Sequence, residues 1–233
     1  MPRILLVKTS SLGDVIHNLP VVSDIAAALP GAQIDWIVEQ DFAAIPALHP
    51  AVSRVIPVAL RRWRKQWWRG ETRREMHAFF SALREVRYDA VLDTQGLLKS
   101  ALVTWAAKGP RYGLDWRSSR EPLAIFYDRT FRVAWKRQAV ERNRALAGQA
   151  LRYTPNGHVQ YGISTAATHS PSIRADRYAF LIHVTSARRK LWPEERWVAV
   201  GRALSDAGVI SVLPWGSALE HERSVRLSQV IKG

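Results

Sequence analysis

The chain has 233 residues, 47% of them apolar, with ten Trp and a formal charge of +14 from 34 Lys and Arg against 20 Asp and Glu. That length and apolar content build one large domain or two small ones, and they exclude a disordered chain. The absence of Cys excludes disulfides, thiol catalysis and Cys-based metal sites, the seven His form no HExxH or HxxxH pair, and the basic surplus points to an anionic partner such as nucleic acid, acidic lipid or a phosphorylated sugar.

Residues 4–7, Ile-Leu-Leu-Val, are apolar on both faces, the pattern of a buried parallel strand. The stretch KTSSLGD from Lys8 to Asp14 turns the chain, and Val15, Ile16 and Leu19 follow at helical spacing until Pro20 kinks or resets the helix. In a doubly wound sheet, the loop leaving the first strand opens on the ligand crevice. Asp14 stands in that loop with two readings, a helix N-cap or a general base that takes the proton of an attacking hydroxyl. Gly13 before it lets the backbone turn tightly and a substrate come close. A turn at Pro30-Gly31, a strand at 33–38, a short helix at 42–48 and a strand at 52–58 continue the alternation, which argues for βαβ units and a parallel sheet.

Then comes RRWRKQWWR, Arg61 to Arg69, and between Arg61 and Arg74 there are seven basic residues and one acid, Glu71. It reads as a solvated helix with buried indoles, or as a surface for nucleic acid or membrane. It also suits an anionic glycolipid, because guanidinium forks grip carboxylates in pairs and indoles settle at the headgroup level. An amphipathic helix at 71–87 and a strand at 88–93 follow. The Gly96 loop at that strand's carboxyl end lines the same crevice, with Lys99 either reaching an anion or solvated. Residues 113–122 form a polar loop, 123–127 a helical turn and 140–151 a helix.

From 163 to 177 the composition shifts to Ser, Thr, Ala and Pro, as in a linker. A strand at 179–184 is followed by Thr185, Ser186 and Lys190, which either offer hydroxyls, N–H groups and a point charge to a diphosphate or form a plain loop. This is no Walker loop, since its glycines are missing. Pro193 opens a helix at the favoured first position, and a strand at 209–213 ends at Pro214-Trp215-Gly216. No run approaches the ~18–20 apolar residues of a membrane span, and the N-terminus is unlike a signal peptide. A cytoplasmic protein with at most peripheral membrane contact is expected.

The segments VKTSSLGDVIHNLPVVSDI, RVIPVALRRWRKQW, YDAVLDTQGLLKSAL, GLDWRSSREPLA, AVERNRAL, TSARRKLWPEERW and LPWGSALEHER occur in this order along nearly the whole chain. Together they resemble the bacterial lipopolysaccharide heptosyltransferases of glycosyltransferase family 9, the first type above all. The resemblance implies an α/β protein of the GT-B type with two Rossmann-like parallel-sheet domains. The N-terminal acceptor domain spans 1–163, a linker 164–177, and a donor domain 178–233, truncated after two strands. It implies inverting transfer of heptose from ADP-heptose to the inner Kdo of Kdo2-lipid A in inner-core synthesis, with no metal or other cofactor. It further implies peripheral contact with the cytoplasmic face of the inner membrane and no nucleic acid partner.

By the same resemblance, Asp14 is the catalytic base. Ser11, Gly13, Arg61, Arg62, Arg64, Lys65 and Arg120 contact the acceptor, although Arg120 on position alone would pair with Glu121 or Asp115. Thr185, Ser186, Lys190, Trp215 and Glu220 contact the donor. A DTGLxHL-type loop that completes the family's donor site has no counterpart here, so little transfer is expected from these 233 residues alone. Two alternatives stay open: heptosyltransferase II or a related GT-B enzyme with another acceptor, and a nucleic-acid-binding module built on RRWRKQWWR.

Overall fold

In the computed structural model, which describes residues 1–155, 157–164, 175–185 and 188–231, the first apolar run is strand β1 (Arg3–Val7). Ile4 and Leu6 pack into one apolar layer, Leu5 and Val7 into another, and all four are buried. Helices α1 (Leu12–Ile16) and α2 (Leu19–Ala28) follow, with Pro20 in the first turn of α2, so the proline resets the helix. Strand β2 (Gln33–Glu39), the short α3 (Ala44–Ala47), β3 (Val52–Val58), α4 (Leu60–Gln66) and α5 (Gly70–Glu85) come next. The unit then continues through β4 (Ala90–Asp93), α6 (Leu98–Ala106), β5 (Arg111–Leu114), β6 (Arg129–Phe131) and α7 (Ala139–Leu151).

The six strands are ordered β3-β2-β1-β4-β5-β6, and every neighbouring pair is parallel. This is the doubly wound arrangement, whose direction of winding reverses between β1 and β4, and ligands bind beyond the carboxyl ends of strands at such a reversal. Strand β5 runs into the stretch expected as polar loop at 113–122, and β6 lies between 127 and 140, where no element is expected. They are four and three residues long, too short for a period to show.

One apolar layer contains Val15, Leu19, Ile25 and Leu146 from α1, α2 and α7. The other contains Trp63, Leu83 and Val103 from α4, α5 and α6. Trp63 lies edge-on to Phe79 with ring centroids 5.4 Å apart. Burying that indole fixes the rotation of α4 and turns Arg61, Arg64 and Lys65 outward. Helices α7 and α2 are joined by a buried ion pair in which Arg144 donates to both oxygens of Asp24, at 2.7 and 2.9 Å.

The chain divides into two units, Met1–Thr168 and His169–Gly233. The division falls inside the expected linker, of which 165–174 lie outside the described residues. In the second unit β7 (Tyr178–Phe180) pairs in parallel with β8 (Ile210–Val212), and α8 (Glu194–Asp206) and α9 (Ala218–Val230) complete it. Leu181, Leu227 and Ile231 form its core. Both strands are shorter than the apolar runs that signal them, because the ladder stops once Leu181 N–H has met Val212 O at 2.9 Å. Pro193 is the N-cap of α8, one place before the expected first helical position.

Candidate active site

The winding reversal brings the loops after β1 and β4 together, and side chains staple them. Gln95 Oε1 accepts from the N–H groups of Thr9 and Ser10 at 3.1 and 3.0 Å, and Lys8 Nζ donates to Thr94 O at 2.8 Å. Beneath them Asp93 is buried at the end of β4 and accepts from Gln95 N, Gly96 N and the Tyr127 hydroxyl at 2.8, 3.0 and 2.9 Å. Burial holds the Asp93 carboxyl above its ordinary range despite these donors, and burial with the neighbouring Asp93 pushes Tyr127 up as well. Gly96 takes a φ of +66°, which makes glycine the fitting residue there.

Asp14 is not the cap of its helix. Ser11 is the N-cap of α1 and Asp14 is the third helical residue, so Asp14 is not the N-cap expected but its capping-box partner, with its carboxylate accepting from the Ser11 N–H. Ser11 N–H and the Ser11 hydroxyl both donate to Asp14 Oδ2 at 2.9 Å. Oδ1 has no hydrogen-bond partner among the described residues, and Asp14 lines a cavity. One oxygen is therefore anchored and the other is free to accept a proton. Gly13 is helical with no positive φ, so the turn does not need glycine as expected. A Cβ there would meet no atom within 4 Å, and the surface over it is open.

The cavity has a volume of about 260 Å³. Lys8, Arg120 and Arg142 give it positive charge, Asp14 its carboxylate and Trp135 an aromatic wall. Burial lowers the Lys8 ammonium to about 8, while Asp14 and Asp93 draw it back up and Arg142 presses it down. Arg142 donates to Ser118 O at 2.7 Å and lies 4.3 Å over the Trp135 ring. Burial, then the nearby Arg120, lowers its pKa from the ordinary arginine value. The ion pair that position alone suggests for Arg120 is not formed among the described residues. Asp115 accepts from Ser118 N at 2.8 Å and Glu121 from Leu98 N at 2.6 Å.

The basic run is sorted by α4. Arg62 is held on Glu75 through two bonds of 2.7 Å. Arg61 lies 5.2 Å over the Phe42 ring, and its N–H donates to Glu39 Oε1 at 2.8 Å. Arg64 and Lys65 are exposed and form no ion pair among the described residues. Lys99 is half-buried and donates to Ser10 Oγ at 2.5 Å, so it is no solvated lysine. Burial lowers its pKa, Glu39 and Asp14 raise it, and Arg61 and Arg64 lower it, which puts the α4 cations within electrostatic reach of the Asp14 loop. Sequence reasoning gave Lys8, Trp135 and Arg142 no part in the site. Only Lys8, at the carboxyl end of the first strand, carried a positional signal.

In the second unit, Thr185 is half-buried in the loop after β7, Lys190 is exposed in a short helical turn at Arg188–Lys190, and Ser186 lies outside the described residues. After β8, Ser217 caps α9 by accepting from Glu220 N at 3.4 Å, and Glu220 Oε2 accepts from Gly216 N at 2.8 Å. Trp215 is exposed with its ring 4.5 Å from that of His221. Buried His183 pairs with Ser224 Oγ at 3.0 Å, fixing the loop after β7 to α9, and burial, then Arg223, lowers its pKa. Thr185 and Trp215 thus sit in loops that leave the carboxyl ends of adjacent parallel strands.

Residues 76–232 match glycosyltransferase family 9 (heptosyltransferase). Lipopolysaccharide heptosyltransferase 1 of Escherichia coli K12 is 46% identical over 230 residues, covering 97% of this chain and 72% of that protein. Its counterpart from Pseudomonas aeruginosa is 51% identical over 229 residues, covering 97% of this chain and 64% of the relative. The solved structure of E. coli heptosyltransferase WaaC with ADP-2-deoxy-2-fluoro heptose matches with a TM-score of 0.90 at 44% identity, over 98% of this chain and 74% of that one.

Proposed function

Because the chain belongs to glycosyltransferase family 9, the heptosyltransferases, we propose that it transfers L-glycero-D-manno-heptose from ADP-heptose to the inner Kdo of Kdo2-lipid A. It is an α/β protein of the GT-B type and a heptosyltransferase of the first type, which its relatives select over heptosyltransferase II and over a nucleic-acid-binding module.

The observation that carries the mechanism is the Asp14 carboxylate, which lines a cavity bearing Lys8, Arg120 and Arg142 and has one oxygen held by Ser11 and the other without a hydrogen-bond partner among the described residues. The Kdo hydroxyl oxygen attacks the anomeric carbon of heptose and gives its proton to Asp14. The bond from that carbon to the diphosphate oxygen breaks, and ADP leaves with the electron pair from the opposite face, so the configuration inverts. Arg120, Arg142 and Lys8 suit the Kdo carboxylate, since charge-assisted bonds strengthen where water is scarce. Arg61, Arg64, Lys65 and Lys99 extend the positive field toward the rest of an anionic acceptor.

In the second unit, Thr185, Ser186 and Lys190 hold the diphosphate, and Trp215 and Glu220 the adenosine. Lys190 offsets the charge of the leaving ADP, and the reaction needs no metal ion. Exposed Trp67 and Trp68 beside the α4 cations, and Leu98, Leu102 and Trp105 along one exposed face of α6, suit peripheral contact with the cytoplasmic face of the inner membrane. Among the described residues no helix is long and apolar enough to cross a membrane.

The test is Asp14→Asn, which keeps the bond from Ser11 and cannot take a proton. Transfer should fall by roughly 100-fold or more while acceptor affinity stays within about twofold. Undiminished turnover would leave Asp14 a helix-end residue only.

A further inference from the structure

The loop from β6 to α7 carries Arg132, Lys136 and Arg137 and walls a second cavity of about 560 Å³, within the size range of small-ligand pockets. Arg117 lines it too, and no Asp or Glu does. All four cations are exposed, and none forms an ion pair among the described residues. Some arginines of the unit are neutralised by carboxylates, as Arg62 is by Glu75, Arg111 by Asp128 and Arg144 by Asp24, whereas the four cations of this cavity share one concave wall with no acid. Like charges around a concavity focus a positive potential and concentrate anions, which a flat solvated face does less well.

The walls are fixed. Val133 N–H donates to Ser118 Oγ at 2.9 Å, Arg142 donates to Ser118 O at 2.7 Å, and Trp135 lies under the Arg142 guanidinium. Ser118 and Trp135 line both this cavity and the Asp14 cavity, so the two are neighbours across a shared partition. A ligand with a carboxylate on one sugar and a second anionic group further along can occupy both.

We propose that the second cavity is a phosphate-monoester subsite, holding a phosphate of the acceptor glycolipid while its Kdo lies beside Asp14. The proposal rests on the acceptor reading above. A phosphate monoester presents several oxygens to arginine forks, and three arginines and a lysine are available to it. Free phosphate shares that chemistry and is separated from the glycolipid by experiment.

The full chain is titrated with soluble, deacylated Kdo2-bearing acceptor in two forms, with its phosphates and after their enzymatic removal, at fixed ionic strength. The phosphorylated form should bind about tenfold tighter. The double variant Arg132→Ala/Arg137→Ala should cut that advantage to less than about twofold and leave the dephosphorylated form's affinity unchanged. A thermal melt checks that the variant is folded. Equal affinities for the two forms overturn the subsite and leave the acceptor reading standing, as does an advantage that survives in the variant. If neither form binds, the acceptor reading fails, and inorganic phosphate titrated alone decides the cavity. Saturable phosphate binding lost in the variant supports a phosphate site, and its absence overturns one.

Discussion

Replacing Lys8 with Met should stabilise the protein at neutral pH and change how its stability follows pH. The side chain is 5% exposed, and burial holds its pKa at about 8 against an ordinary 10.5. Below pH 8 the group is charged in folded and unfolded chains alike, and desolvation costs the folded state about 3 kcal/mol. Between pH 8 and 10.5 the folded protein has released the proton and the unfolded chain still holds it, so stability rises with pH. Above that window both forms are neutral and the cost is gone.

Met removes the cost but forfeits the bond to Thr94 O, a loss of about 1–1.5 kcal/mol. The net gain at pH 7 is then about 2 kcal/mol, or roughly 4–8 °C in Tm. Urea denaturation of both proteins at several pH values from 7 to 10 reads the difference directly, and contributions from other titrating groups cancel. The advantage of the variant should shrink with rising pH and then reverse. A variant less stable at pH 7, with a difference that does not change up to pH 10, would refute the idea that the ammonium is held at a cost. The same variant should bind a Kdo-bearing acceptor more weakly, a trade of function for stability.

Arg64→Ala should weaken acceptor binding more than Arg62→Ala, because the Arg62 guanidinium is already held by Glu75; equal losses on titration would contradict the division. Asp24→Ala removes the carboxylate that neutralises buried Arg144, and a denaturation curve should show a loss of about 3–5 kcal/mol. Gly113→Ala drives a methyl group into the Tyr127 ring and displaces the hydroxyl that donates to Asp93. A loss of about 1–3 kcal/mol with weaker acceptor binding is expected, measured by melt and titration.

The first strand and its turn were legible because a both-faces-apolar run followed by small polar residues has few other meanings. The position of Asp14 followed from them, and its role came from the resemblance of the surrounding motifs. The basic run was legible as a feature but not in its parts. Trp63, Trp67 and Trp68 look alike in sequence, but the first lies within α4 and is buried, whereas α4 ends at Gln66 and the other two, at and past its end, are exposed. Likewise Arg62 finds Glu75 across the joint between α4 and α5, a partner that local spacing cannot name. Arg142 and Trp135 join the site because β5 and β6 extend the sheet, and strands that short carry no periodic signal. In the second unit apolar runs marked both strands but overstated their length, since part of each packs on helices instead of pairing.

The order of the sheet also sets the order in which the protein is assembled during synthesis. β1 pairs with β2 early, but its other edge waits for β4, with Ile4 opposite Ala90 in the final ladder. Until that strand leaves the ribosome, the growing chain shows an open edge that is apolar on both sides, a template for wrong pairing. The Gln95 staple and the Thr94 bond to Lys8 arrive with the same strand, and the Arg142 wall later still. Asp14 is among the first residues made, yet its pocket closes only after nearly the whole unit has emerged. Substitutions in β4 or α7 that slow docking should therefore lower the soluble yield of newly made protein before they alter its equilibrium stability.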